Sequence, residues 1–189
     1  MDVTAFQKNL PMSLTLSRVA AAIPLTIAIY IGTPWSHWPA AVIFILASIT
    51  DWLDGYFARK YKTESTMGKF MDPIADKILV LAALILLLDL HRIDPILVIL
   101  LLGRDILIGG VRSVAASKNV IIAAKPFGKW KTALQMISIP CLLIYEPRLA
   151  FGIDVDVIGY VGLWLSVILS LVSGVQYTYG YFIENKKDN

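Results

Sequence analysis

Asp51-Trp52-Leu53-Asp54-Gly55-Tyr56-Phe57-Ala58-Arg59 is followed, after eight residues, by Gly68-Lys69-Phe70-Met71-Asp72-Pro73-Ile74-Ala75-Asp76. Strongly apolar runs flank this stretch, over 38–50 before it and 78–88 after it. Asp51 and Asp54 are three residues apart, and Asp72 and Asp76 four apart, so on helices each pair shares a face. Gly55 lies one turn after Asp51 and Gly68 one turn before Asp72, where a ligand can approach the backbone closely. A charge at the centre of a bilayer costs roughly 2.5–3.5 kcal/mol even on the lenient scale. Four cost on the order of 10 kcal/mol, comparable to the stability of a whole domain. Two divalent cations would balance the four carboxylates, and all-oxygen ligation selects a hard ion, Mg²⁺ or Mn²⁺ in its place. Paired metals of this kind clamp both oxygens of a phosphoryl displacement. Ordinary ion pairs with Arg59, Lys69 and Lys77 would account for one or two of these acids, not for two pairs each with a glycine one turn away.

The rest of the chain supplies the membrane. Its 189 residues are 57% hydrophobic and 16% charged, and the mean hydropathy is +0.69. That composition predicts an all-α integral membrane protein. Six transmembrane helices are expected near 14–31, 38–56, 68–90, 95–115, 130–145 and 157–179. A polar metal-binding cavity opens between them. Residues 1–13 read as a cytosolic or interfacial lead-in, 14–183 as the membrane domain and 184–189 as a polar cytosolic tail. The first apolar segment runs past the length of a cleaved signal and is read as a retained span. Pro73 is expected to bend or locally open the first turns of the third span.

Six spans put both termini on one side. Lys8, Arg59, Lys60, Lys62, Lys118, Lys125, Lys186 and Lys187 collect there, against Arg92 and Arg148 on the other side. The first side is therefore cytosolic, and the acids open towards it. A net charge of +3 is too small to argue for nucleic acid. The single cysteine, Cys141, excludes an internal disulfide and reads as packing. Trp35, Trp38, Tyr177, Tyr179, Tyr181 and Phe182 suggest interface belts. Ser166, Ser170 and Gly174 form a small-residue packing face. His37 and His91 fall in outer turns and read as solvated.

A second constellation is basic. Arg104 and Arg112 are eight residues apart, on one face of the fourth span. Gly128-Lys129-Trp130-Lys131-Thr132 opens the fifth, where a helix N-terminus, two lysines and a hydroxyl meet. Arg104 is followed by Asp105, but adjacent helix residues do not face each other, so a local pair is not expected. An anion pocket of Arg104, Arg112, Lys129 and Lys131 is favoured over mere flanking charge.

The pattern Asp-x-x-Asp-Gly-x-x-Ala-Arg, then Gly-x-x-x-Asp-x-x-x-Asp, resembles the signature of the CDP-alcohol phosphotransferases, and every fixed position is present. The segments 104–112, 128–136 and 72–77, together with Asn9-Leu10-Pro11, Leu14-Thr15 and Arg18, resemble the branch of that family found in bacteria that uses glycerol 3-phosphate. Met12 stands where Asn is usual there and Asp105 where Glu is usual. The resemblance implies that Asp51, Asp54, Asp72 and Asp76 bind two metals, with Asp76 also the general base. It implies that Gly55, Ala58, Arg59 and Gly68 line the donor nucleotide site, and that Arg104, Arg112, Lys129 and Lys131 hold the acceptor phosphate. The implied reaction moves the phosphatidyl group from CDP-diacylglycerol to sn-glycerol 3-phosphate, giving phosphatidylglycerophosphate and CMP. The implied setting is a homodimer in the lipid of the bacterial cytoplasmic membrane. Two alternatives stand beside it. One is the same chemistry on inositol phosphate, phosphatidylglycerol or serine; the other is a divalent-cation transporter, which leaves Gly55, Arg59 and the basic group without a role.

Overall fold

The computed structural model describes residues 20–33, 36–61, 66–117, 126–144 and 154–185. Among them lie six helices and no strand. These are α1 (Ala20–Tyr30), α2 (His37–Tyr61), α3 (Thr66–Asp89), α4 (Pro95–Ser117), α5 (Pro126–Ile144) and α6 (Val155–Asn185). The lead-in, Trp35, the segment around Arg148, and Lys186 and Lys187 lie outside the described residues.

Local chemistry sets the outer ends of these helices. α1 stops at Gly32, whose φ of 69° suits a residue without a Cβ. Ser36 precedes α2 and turns its hydroxyl onto the Thr33 carbonyl at 2.6 Å. Its own carbonyl accepts from Ala40 N–H. α3 ends in a Schellman motif: Arg92 N–H donates to Leu87 O and His91 N–H to Leu88 O. His91 takes the left-handed position there, with φ 57°. Asp94 and Pro95 then start α4 as cap and first helical residue. Asp154 does the same for α6, accepting from Ile158 N–H.

Contacts far apart in sequence give the helix directions. Tyr160 donates to Asp94 Oδ2 at one level and Arg104 to the Ser170 carbonyl at another, so α4 and α6 run parallel. Gly159 and Gly162 of α6 lie against Leu142 and Ser138 of α5, while Ser166 donates to the Lys131 carbonyl, so these two run antiparallel. Arg92 closes the outer end. Its Nη1 donates to Leu142 O at 2.7 Å and Leu143 O at 3.0 Å, the last carbonyls of α5. Its Nη2 faces the His37 ring, with Nε2 at 3.3 Å. His37 is thus half-buried and partnered, contrary to the solvated role expected of it. A guanidinium has only donors, so the facing imidazole nitrogen must be unprotonated. Burial and then the Arg92 charge both lower the His37 pKa. His91 is exposed, as expected.

The core is a single apolar cluster drawn from all six helices, including Leu25, Phe44, Leu84, Leu97, Leu142 and Leu163. The outward faces are apolar too: Ile106, Leu107 and Val175 are 72%, 70% and 70% exposed. In water so much bare aliphatic surface would be a liability, whereas lipid tails cover it without cost. Among the described residues, one helix segment, Val155–Tyr177, is by length and composition able to cross a membrane. The carboxylates of α2 and α3 and the Arg104, Asp105 and Arg112 charges of α4 interrupt the apolar runs of those three helices. Tyr177 is buried, so it packs instead of joining an interface belt, while Trp38 and Tyr179 are exposed. Pro73 does not interrupt α3, which is helical from Thr66 through Pro73 to Asp89. A proline removes one donor from the ladder, and the bonds on either side carry the helix through.

A candidate phosphoryl-transfer site at one end of the bundle

The signature residues occupy helices, as their spacing requires. Asp51, Asp54, Gly55, Ala58 and Arg59 lie on the second half of α2, and Gly68, Asp72 and Asp76 on the first half of α3. Both acid pairs therefore sit on helical backbone, which puts each pair on one face. Their side chains lie outside the described residues, as do those of Arg112 and Lys129. Among the described residues no three His, Cys, Asp or Glu gather to hold a metal. The fit of a metal rests on the chemistry of the four aspartates: all-oxygen donors, paired one turn apart on two helices, suit a hard divalent cation.

Next to the α3 acids, the structure gathers charges from three helices around Asp105. Lys131 of α5 donates to Asp105 Oδ1, and Arg104 Nη1 reaches the same oxygen at 3.1 Å. Lys77 of α3, the residue after Asp76, donates to the Asp105 backbone carbonyl at 3.0 Å. The Lys131 side chain is 6% exposed and that of Asp105 17%, so this is a largely enclosed group. The Arg104–Asp105 pair corrects the expectation drawn from their adjacency. Cβ positions of neighbours diverge, but the Arg104 stem is long enough to fold its guanidinium back over the next residue.

A small-residue stripe on α6 makes room for Arg104. Its Nε donates to the Ser170 carbonyl at 2.8 Å and its Nη2 to Ser173 Oγ. A Cβ added to Gly174 would stand 3.3 Å from Arg104 Nε and 3.5 Å from its Cγ. The stripe read as helix packing thus has two jobs. Towards α5 it allows close approach at Gly159, Gly162 and Ser166; towards α4 it seats a guanidinium at Ser170, Ser173 and Gly174. Ser173 escaped sequence reasoning. The available signal was its position three residues after Ser170, on the same face.

The Gly128–Thr132 segment is placed differently from the expectation. α5 begins at Pro126, so Lys129 and Lys131 lie inside its first two turns. Thr132 turns its hydroxyl back onto the Gly128 carbonyl at 3.2 Å. Lys131 points into the bundle and Gln135, one turn on, is buried on the same face. The structure brings Arg104 and Lys131 together on one carboxylate. Lys77 and Asp105, assigned no site role from sequence, complete the group.

Among the described residues, six helices carry two acid pairs on the backbone of α2 and α3 and a largely enclosed charged cluster around Asp105. A sequence model of the CDP-alcohol phosphatidyltransferase family matches residues 8–172, and the chain belongs to that family. It is similar to CDP-diacylglycerol–glycerol-3-phosphate 3-phosphatidyltransferase of Rickettsia bellii (strain RML369-C), with 38% identity covering 95% of this chain and 97% of that protein. The protein of the same name from Bacillus subtilis (strain 168) is 37% identical over 89% of this chain and 93% of its own length. A CMP-forming cardiolipin synthase of Oryza sativa subsp. japonica is 42% identical over 71% of this chain and 45% of its own.

Proposed function

We propose that this chain transfers the phosphatidyl group of CDP-diacylglycerol to sn-glycerol 3-phosphate, releasing CMP and forming phosphatidylglycerophosphate. Family membership and the full-length relatives support the reaction class and both substrates. The observation that carries the acceptor assignment is the enclosed meeting of Arg104, Lys131 and Lys77 beside the α3 acids. Basic side chains gathered in a largely enclosed site suit a phosphate better than serine, whose single carboxylate comes with an ammonium that they repel.

The division of labour follows from placement. Asp51, Asp54, Asp72 and Asp76 would hold two Mg²⁺ or Mn²⁺ ions, which when bound supply neutralisation of the donor diphosphate and of departing CMP. Gly55, Ala58, Arg59 and Gly68 line the cytidine and diphosphate site on the same two helices. Arg104 and Lys131, with Arg112 and Lys129 from the same two helices, fix the acceptor phosphate. That fixes the glycerol hydroxyl against the donor. Asp76 takes the proton from this hydroxyl as its oxygen attacks the phosphatidyl phosphorus. The bond from that phosphorus to the CMP oxygen breaks, and CMP leaves with the electron pair. Six spans embed the site, with both termini and the acids on the cytosolic side of a bacterial cytoplasmic membrane, and the enzyme works as a homodimer.

The test follows CMP release by purified protein in detergent with CDP-diacylglycerol and Mg²⁺. Glycerol 3-phosphate, inositol phosphate, phosphatidylglycerol and serine are offered in turn. Release with glycerol 3-phosphate alone is expected. Release with a different acceptor would overturn the assignment of the basic pocket, and Mg²⁺ flux without release would overturn the enzyme.

A further inference from the structure

Lys77 follows Asp76 in the chain, and the proposed reaction gives it no task. Its half-buried ammonium donates to the Asp105 backbone carbonyl of α4 at 3.0 Å. A helical carbonyl keeps a second lone pair for such a donor. Gly109, one turn on from Asp105, makes the room: a Cβ there would stand 3.6 Å from Lys77 Nζ. Among the described side chains of α3, Lys77 is the one that hydrogen-bonds to another helix. The outer half of α3 is held by packing, with Leu79, Ala83, Leu84 and Leu87 buried. Lys77 lies between that packed half and the acids at 72 and 76. The residue it grips also organises the basic group. Asp105 takes Lys77 of α3 on its carbonyl, and Lys131 of α5 and Arg104 on its carboxylate. One residue of α4 thus ties the acid-bearing helix to the acceptor pocket.

We propose that Lys77 is a positioning residue: its bond to the Asp105 carbonyl fixes the rotation of α3 and so sets Asp72 and Asp76 against the acceptor pocket. This inference rests on the phosphatidyl-transfer reading above and deepens it. Successive residues of a helix lie about 100° apart, so a contact held by residue 77 fixes the bearing at which residue 76 leaves the helix. Without that contact, a rotation of about 20° carries each Cα through about 0.8 Å on a cylinder of radius ~2.3 Å, and a side-chain end further. A misplacement of about 1 Å is enough to cost on the order of 100-fold in rate. The bond binds no substrate, so its loss falls on turnover and not on substrate affinity.

The experiment uses the full chain in detergent and reads two quantities. One is CMP release with CDP-diacylglycerol, Mg²⁺ and glycerol 3-phosphate; the other is Mn²⁺ binding without substrates, followed by EPR. Lys77→Met should lower kcat at least about tenfold and leave both KM values within about threefold. It should also weaken Mn²⁺ binding at least about threefold. By charge alone, removing a nearby cation would strengthen Mn²⁺ binding, so the sign separates placement from charge. Lys77→Arg keeps a donor within reach and should recover most of the kcat. Gly109→Ala should match wild type, its Cβ making ordinary contact, whereas Gly109→Leu should displace the ammonium and repeat the Lys77→Met loss. Combining Lys77→Met with Gly109→Leu should cost no more than either alone. A wild-type kcat in Lys77→Met, a loss that falls on the acceptor KM, or tighter Mn²⁺ binding overturns the inference, and so do two losses that multiply. If Lys77→Met does not fold, a wild-type kcat in Gly109→Leu overturns it in the same way. A wild type that releases CMP with no acceptor overturns the phosphatidyl-transfer reading and this inference with it; all the other failures leave that reading standing.

Discussion

Replacing Gly159 with alanine should force α5 away from α6 at the outer end of their seam. The added Cβ would stand 2.7 Å from Leu142 Cγ, 2.9 Å from the Ser138 carbonyl oxygen and 3.1 Å from the Leu142 nitrogen. Favourable carbon contacts begin near ~3.5 Å, so two backbone atoms are too close by roughly 0.5 Å. A side chain could rotate aside; a helix backbone moves only as a whole. Overpacking of this kind costs about 1–3 kcal/mol. α5 and α6 form the most extensive helix contact in the described residues, so opening this seam removes the larger part of the packing of α5, with α2 holding its other side. Gly103 of α4 provides the opposite sign, since a Cβ there meets nothing within 4 Å. Alanine at 103 should stabilise by about 0.5–1 kcal/mol through helix propensity. Thermal unfolding of the full chain in one detergent compares the two, and for a chain of this size each kcal/mol moves Tm by about 2–4 °C. Gly159→Ala should fall below wild type and Gly103→Ala rise above it. A Gly159→Ala variant as stable as wild type would refute the close packing of this seam.

Four further outcomes follow. His91→Gly should raise Tm, by about 1 kcal/mol of stability, because the left-handed backbone at 91 costs a side chain and not a glycine; a lower Tm would contradict the Schellman ending of α3. Arg92→Ala should destabilise by about 2 kcal/mol or more, since two α5 carbonyls lose a charged donor, while turnover per folded molecule holds at low temperature, the acids lying at the far end. The neighbouring His37 has a pKa below its ordinary value of 6.5. Its contribution is complete above that pH and is lost as pH falls through the lowered native value, so Tm should drop between neutral and acid pH and His37→Gln should flatten the drop. Asp76→Asn should nearly abolish CMP release with unchanged Tm; near-normal release would remove the general-base assignment.

Sequence reasoning was most secure where the physics is local. Helix periodicity and the placing of Asp51 with Asp54 and of Asp72 with Asp76 on helices depend on residues within one or two turns. The identity of the family followed from those same short spacings. The failures have two causes, one local and one distant in sequence. The adjacency of Arg104 and Asp105 argued against a pair because the rule concerns Cβ directions, and a long guanidinium side chain is not bound by it. His37 read as solvated because its partner, Arg92, lies 55 residues away.

By itself the sequence determined an all-helical chain, rich enough in apolar residues to favour lipid, with two acid pairs on helices and a family to match. Tertiary structure alone decided which charges meet. Lys131 reaches Asp105 across 26 residues, Lys77 reaches its carbonyl across 28, and Arg104 reaches Ser170 across 66. No helical period encodes those distances. They are set by which helix face is small enough to admit another backbone, as at Gly159, Gly162 and Gly174, and that is known only once the helices are packed.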